Sequence, residues 1–333
     1  MSKRKLLITE KLDKDLLKQI KAIIPNWEIW AEDEPALLAE YASKAEIIAG
    51  WRRELEPLAL SEASSLRWIQ SWSAGVDSMP LNRLAENDVQ LTSANGVHAF
   101  PITETIFGLM LAHTRKIAAY VKNQQKKRWH NAGISLELHQ KTIGLIGVGA
   151  IGRETAKIAK AFGMKTLGIR HSGKPTEYVD EMYTLDEIEA VLPRCDYVVI
   201  ILPLTPETKH LFNQALFRRM KSSAFIVNVG RGELVQEADL IQALNKGEIA
   251  GAGLDVFESE PYRETVHYGT WITSLLLPIQ PGQQNIIISE SLKRFLSRIY
   301  NRILIAGNSR SMLSILRKGI EFLLIIRSPL IHT

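Results

Sequence analysis

The chain has one cysteine, Cys195, set in the apolar run Cys-Asp-Tyr-Val-Val-Ile-Ile-Leu-Pro. That excludes a disulfide-stapled scaffold and marks the thiol as a core group in a reducing cytoplasm. No uncharged apolar run approaches the ~20 residues that a membrane-spanning helix needs, so no membrane partner is expected. The opening MSKRKLLITEKL is charged and then strand-like, without an apolar h-region or a small-residue cleavage site, and no secretion signal is expected. Internal repeats and low-complexity tracts are absent. The histidines show no metal-ligand spacing, so no metal site is expected. Aspartate is missing after Asp255, and from Val266 to Thr333 eight Lys/Arg face two Asp/Glu, a local +6 against −1 for residues 1–265. The formal net charge of +5 therefore belongs to the tail and gives no warrant for nucleic-acid binding by the main body.

At 333 residues, 46% hydrophobic and 23% charged, the chain has the composition of a soluble globular protein of about two domains. Its organising stretch is Lys141–Arg170. The apolar run Thr142-Ile-Gly-Leu-Ile146 predicts a buried parallel strand, followed by the G-x-G-x-x-G turn Gly147-Val-Gly-Ala-Ile-Gly152. A helix pattern with Ile151, Thr155, Ile158, Ala159 and Phe162 on one face stops at Gly163, and a second strand ends at Arg170. This context turns a weak motif into a dinucleotide signature: Gly147 makes the tight turn, Gly149 admits a pyrophosphate and Gly152 lets helix and strand pack closely. Phosphate would rest on the free N–H groups of the helix N-terminus, at Ala150, Ile151 and Gly152.

Around this unit the chain alternates strands and helices. Residues 1–98 predict a compact parallel-sheet domain without a phosphate loop, with strands at Lys5–Thr9, Trp27–Trp30, Glu46–Gly50, Leu66–Ser71 and Val89–Ser93. Ile102–Tyr120 predicts one long connecting helix, and Lys122–His139 a polar surface excursion. Residues 99–284 predict a second domain, a doubly wound sheet of about six strands open at its carboxyl ends, where ligands bind. Residues 285–333 read as an aberrant tail. Its Ile286–Arg302 and Ser311–Ile326 segments mix apolar and basic residues, a pattern read as untuned sequence in preference to a membrane-surface helix.

Two later segments add chemistry. Ile226-Val-Asn-Val-Gly-Arg-Gly-Glu-Leu-Val235 places Arg231 between glycines directly after a buried strand, and Gly253-Leu-Asp-Val-Phe-Glu-Ser-Glu-Pro261 places Asp255 and Glu260 after the next. With the glycine turn, Leu202-Pro-Leu-Thr-Pro-Glu-Thr208 and Ser73-Ala-Gly-Val-Asp77, these motifs fall in the order of the D-2-hydroxyacid dehydrogenase family, which the chain resembles over about residues 5–265. The resemblance implies two Rossmann/flavodoxin-like α/β domains with a cleft between them, and hydride transfer between a nicotinamide cofactor and a small 2-keto or 2-hydroxy acid. It further implies that Arg231 binds the substrate carboxylate and polarises the ketone, that backbone N–H groups near Ala74, Gly75 and Val76 also hold the carboxylate, and that Glu260 tunes a catalytic histidine. Pro203, Thr205, Val229 and Asp255 would line the cofactor, and the chain would form a homodimer through the region around residues 100–140. Arginine suits the carboxylate because its fork offers paired donors and keeps its charge. At the position where an acidic residue would hold the ribose of NAD stands Arg170. With His171, Ser172 and Lys174 it supplies charge and donors for a 2′-phosphate, so NADP is expected, with NAD the alternative.

One element of the resemblance is missing. The family's catalytic histidine belongs about 20 residues after the glutamate, yet Leu275-Leu-Leu-Pro-Ile-Gln-Pro-Gly282 contains none. His267 follows Glu260 too closely to replace it, His98 reads as structural, and His113, His130, His139 and His210 as helix-face or surface residues. Codons compatible with His267–Gln284, read two bases later, can spell T-A-H-T-A-G, the segment the family would carry here. A frameshift near Val266 is therefore expected, and with it a chain that binds cofactor but turns over poorly. A non-catalytic NADP(H)-binding or regulatory protein is the rival reading.

Overall fold

The computed structural model describes residues 3–131, 133 and 136–259. These form two compact units, one running to Val97 and the other starting at His98. Glu260, His267, the Leu275–Gly282 window, the remainder of the expected second domain and the 285–333 tail lie outside the described residues.

In the first unit the chain runs β1 (Lys5–Ile8), α1 (Lys14–Ile23), β2 (Glu28–Ala31), α2 (Pro35–Ala42), β3 (Ile47–Ala49), α3 (Glu56–Ala59), β4 (Trp68–Gln70), α4 (Leu81–Glu86) and β5 (Gln90–Thr92). Its strands pair in parallel in the order β2-β1-β3-β4-β5, the flavodoxin-like winding. Leu6 and Ile8 of β1 face one apolar cluster with Ile20 and Ile23 of α1, and Leu7 faces another with Leu38, Ile48 and Ile69. Alternation along a strand covered on both faces explains its unbroken apolar run.

The second unit opens with α5 (Ala99–Thr114) and α6 (Ile117–Gln125). It continues through β6 (Thr142–Ile146), α7 (Ala150–Ala161), β7 (Lys165–Ile169), β8 (Glu181–Tyr183), α8 (Ile188–Val191), β9 (Tyr197–Ile200), α9 (Gln214–Phe217), β10 (Phe225–Asn228), α10 (Glu237–Asn245) and β11 (Gly251–Leu254). The parallel sheet has the order β11-β10-β9-β6-β7-β8, the Rossmann winding, with its reversal between β6 and β9. Strands β9 and β10 are fully buried: Val198, Ile200 and Ile226 face one cluster, and Tyr197, Val199, Phe225 and Val227 the other. Truncating Phe225, which also stacks on His113 at 4.2 Å, would cost about 3–5 kcal/mol.

Two sequence expectations need correction. The single helix expected over Ile102–Tyr120 breaks where Lys116 turns left-handed at φ +53°, ending α5 and starting α6. The apolar run of α5 stops being buried at Thr114, and α6 buries none of its residues, so nothing holds one continuous axis. The edge strand β8 was not anticipated, because three half-buried residues carry no clear period.

Candidate active site

Among the described residues, the motifs singled out in the second unit sit at the carboxyl ends of its parallel strands. The Gly147–Gly152 turn follows β6, the Arg170–Lys174 turn follows β7, Pro203–Thr208 follows β9, Val229–Gly232 follows β10 and Asp255 follows β11. A parallel sheet aims all these exits to one edge, which is how residues over 100 positions apart come to share it.

The glycine turn is shaped by sterics. Gly147 has φ +113°, and a β-carbon there would lie 2.7 Å from the Ile201 carbonyl oxygen. A β-carbon on Gly152 would lie 2.5 Å from the Gly147 oxygen, so the helix could not approach the turn. Gly149 differs: a β-carbon would meet nothing within 4 Å. The space above it is open, and as N-cap of α7 it offers no side chain to the first N–H groups of the helix. An open cradle over uncapped N–H donors fits a dinucleotide pyrophosphate. Thr103 of α5 meets Thr155 of α7 through their hydroxyls at 3.1 Å, steadying the helix behind the turn.

At the end of β7 the Gly173 N–H donates to the Arg170 carbonyl at 3.1 Å, and Gly173 is left-handed at φ +60°. The turn presents Arg170 half-buried and His171, Ser172 and Lys174 exposed, with the Ser172 hydroxyl accepting from the Lys174 N–H at 3.4 Å. Residues 170–174 contain no carboxylate.

Beyond β9, the Thr208 hydroxyl donates to the Pro203 carbonyl at 2.8 Å and accepts from the Thr205 N–H at 2.8 Å, closing the turn on itself. Beyond β10, Val229 is buried, and the Asn228 side chain accepts from the Gly230 N–H at 3.1 Å and donates to the Arg231 carbonyl at 2.9 Å. The Arg231 guanidinium donates through Nη1 to the Gly230 carbonyl at 2.8 Å. A β-carbon on Gly232 would lie 1.9 Å from the Phe257 carbonyl carbon, so the Arg231 turn lies directly on the segment leaving β11. Asp255, half-buried, starts that segment, its N–H donating to the Asn228 carbonyl at 3.0 Å.

Ala74, Gly75 and Val76 form a half-buried loop after β4 in the first unit. His113 is shut into its stack with Phe225, and burial, aided by Lys116, lowers its pKa, which suits packing over proton transfer. His139 is bonded to the Phe162 carbonyl at 3.3 Å, and His130 is exposed. Cys195 is buried; that burial pushes its thiol up to about 12 and makes it inert. Sequence reasoning missed one pairing: His210 Nε2 lies 2.9 Å from Glu258 Oε1, although the residue reads as a surface histidine. Only its place in the loop behind Thr205–Thr208 hinted at a role. Among the described residues no group of three or more His, Cys, Asp or Glu could hold a metal, and no helix is long and apolar enough to cross a membrane.

Fold and edge together have the form of a dinucleotide-binding Rossmann protein. A family model for "D-isomer specific 2-hydroxyacid dehydrogenase, NAD binding domain" matches residues 107–271. A glyoxylate/hydroxypyruvate reductase B of Salmonella schwarzengrund (strain CVM19633) is 32% identical over 268 residues, covering 78% of this chain and 82% of the relative. A glyoxylate reductase of Thermococcus onnurineus (strain NA1) is 30% identical over 275 residues, covering 78% and 81%. The chain belongs to the D-2-hydroxyacid dehydrogenase family. Among solved structures, a family member from Aeromonas salmonicida matches with TM-score 0.78 and 29% identity, covering 93% of this chain and 98% of the other. An NADPH-dependent glyoxylate/hydroxypyruvate reductase from Sinorhizobium meliloti, solved with NADP and sulfate, matches with TM-score 0.73 and 25% identity, covering 92% and 97%.

Proposed function

We propose that this chain is built as an NADP(H)-preferring reductase of small 2-keto acids of the glyoxylate and hydroxypyruvate type. The observation that carries the cofactor reading is the basic Arg170–Lys174 turn beside an open, uncapped glycine cradle. Gly147, Gly149, Ala150, Ile151 and Gly152 would take the pyrophosphate and Arg170, His171, Ser172 and Lys174 the 2′-phosphate, with Pro203, Thr205, Val229 and Asp255 toward the nicotinamide. When bound, the nicotinamide supplies or accepts the hydride. Arg231 holds the substrate carboxylate through its fork and draws electron density from the ketone, and the N–H groups of Ala74, Gly75 and Val76 support the same carboxylate. The names of the Salmonella, Thermococcus and Sinorhizobium relatives support this substrate class.

Glu260 is the orphaned partner of a histidine that the sequence lacks, which favours weak turnover over full activity. General acid–base catalysis is worth roughly 10²–10⁴-fold, so a chain repaired to carry T-A-H-T-A-G should exceed this one by that factor. The missing histidine also favours the rival reading, an NADP(H)-binding or regulatory protein. The lone buried thiol supports a reducing, cytoplasmic setting. Exposed Ile117, Tyr120 and Val121 on α6, with fully exposed Trp129 beyond it, support a homodimer through this region.

The deciding experiment titrates full-length protein with NADPH and NADH, then assays glyoxylate and hydroxypyruvate reduction before and after frame repair. Tighter NADPH binding with turnover restored by repair supports the reading. Equal affinity for the two cofactors sinks the NADP preference, and binding without turnover after repair favours the regulatory protein. Sequencing the gene across the Val266 codon tests the frameshift itself: a clean frame without the alternative reading defeats it.

A further inference from the structure

The His210–Glu258 pair has no part in the proposed chemistry, yet it joins three segments around the Arg231 turn. Glu258 Oε1 lies 2.9 Å from His210 Nε2 and accepts from the Glu237 N–H, in the first turn of α10, at 3.3 Å. Gln236, the N-cap of that helix, offers no side-chain bond, so Glu258 caps α10 from a distant part of the chain. His210 is itself held in place: it is left-handed at φ +53°, and its N–H donates to the Glu233 carbonyl at 2.7 Å. Two residues on, Phe212 bridges to Val235, its N–H donating to the Leu234 carbonyl at 3.0 Å and its carbonyl accepting from the Gln236 N–H at 2.9 Å. The adjacent Lys209 reaches Glu233 at 2.7 Å. Residues 209–212 therefore lie along 233–236 and fasten the turn that follows Arg231.

Glu258 also belongs to the segment on which that turn rests. The Gly232 α-carbon sits so close to Phe257 and Glu258 that any side chain there would collide with their backbone. Arg231 is thus held from two sides, by its own Asn228-closed turn and by a segment whose Glu258 touches His210. The pair is only partly exposed, with side-chain accessibilities of 40% and 30%, so water competes for it only in part.

We propose that His210 is a positioning residue: through Glu258 it clamps the segment leaving β11 against the Arg231 turn and keeps the guanidinium ready for a substrate carboxylate. This rests on the reading of Arg231 as the carboxylate-binding group, but the clamp itself can be measured without any ligand.

The test uses the full chain and the variants H210A, H210Q and E258A. Amide hydrogen exchange is followed at residues 232–235 and 256–258, and oxamate affinity is measured on NADPH-saturated protein alongside NADPH affinity. Exchange should quicken several-fold in both segments in H210A and E258A and return to near wild type in H210Q, whose amide can still donate to Glu258. Oxamate should bind about five-fold more weakly in H210A, the scale of one partly exposed charge-assisted hydrogen bond, while NADPH affinity stays unchanged. Unchanged exchange in H210A overturns the clamp, and so does faster exchange with no loss of oxamate affinity. Wild-type protein that takes NADPH but no oxamate would instead defeat the carboxylate role of Arg231, and the exchange comparison would still decide whether His210 holds the turn. If H210A fails to fold, E258A and H210Q carry the comparison.

Discussion

The first strand of each sheet in chain order leads through a turn into a helix, β1–α1 and β6–α7, and the two units treat their helix N-termini in opposite ways. In the first, Asp13 caps α1, its carboxylate accepting the Leu16 N–H at 2.7 Å. One free donor and the positive end of the helix dipole are already met by the protein's own anion. In the second, Gly149 caps α7 with no side chain, and open space lies where one would be. The same supersecondary unit is sealed in one half and left available in the other. Parallel-sheet topology alone therefore does not set the proposed cofactor site apart; the open, side-chain-free end of α7 does.

The most severe way to break this contrast is to seal the open end. Gly149→Asp places a carboxylate in the vacant space at a negative φ of −96°, in the role Asp13 plays for α1. We expect the variant to fold, to gain about 1 kcal/mol in thermal stability from the new cap, and to lose NADPH affinity by at least ~100-fold, the worth of two charge-assisted hydrogen bonds. Fluorescence titration and calorimetry measure both. Retained NADPH affinity would mean that the phosphates do not rest on α7.

A smaller change tests what the neighbouring exit adds. Arg170→Ala removes one charge-assisted donor from the basic turn and should weaken NADPH about ten-fold while leaving NADH nearly unchanged. Equal losses for both cofactors would reassign Arg170 to general packing at the end of β7.

Much of this contrast was legible in the residues. The run Thr142–Ile146, the glycine spacing and the stop at Gly163 specified β6, its turn and α7, because buried strands, positive φ and helix ends each restrict residue choice strongly. Gly230 and Gly232 let the Arg231 turn press close against Leu234, the Leu202 carbonyl and the Phe257–Glu258 backbone. The break at Lys116 was not legible, since Ile102–Tyr120 keeps an apolar helical composition across a point that only tertiary packing interrupts. Nor was the His210–Glu258 bond, whose partners lie 48 positions apart in loops without a local pattern. Local rules capture elements and turns; contacts between loops depend on how the sheet brings their ends together.

The converse of the first substitution has a more modest effect. Asp13→Ala unseals α1 and should cost about 1 kcal/mol, seen as faster exchange in α1 and β1, with NADPH affinity unaffected. Cofactor affinity that fell with it would show that the two halves do not act independently in binding.

The smallest expected effect concerns acid stability, where the halves again differ in sign. Beside β1, burial raises the Glu10 carboxyl above its usual value; Arg52, 3.8 Å away, opposes this and Asp33 adds to it. Beside β7, Glu181 is held down to about 2, first by Arg194 at 2.7 Å, then by Lys165 at 2.7 Å and Tyr183. A depressed carboxylate favours the fold in its ionised form, so the Glu181 contribution is complete above its ordinary value of 4.5 and is lost as pH falls toward about 2. A raised carboxylate works the other way: Glu10 binds its proton more tightly in the fold, so its contribution declines as pH rises above 4.5. Glu181→Gln should therefore flatten the loss of protection in β7 and β8 between about pH 4.5 and pH 2, whereas Glu10→Gln should leave that limb unchanged and slightly favour the first unit at neutral pH. The Glu181 network is partly exposed and screened, so the difference should shrink in high salt. Hydrogen exchange across an acid titration reads each unit separately, and an acid limb of the same steepness in Glu181→Gln would remove this network from the stability of the β7–β8 edge.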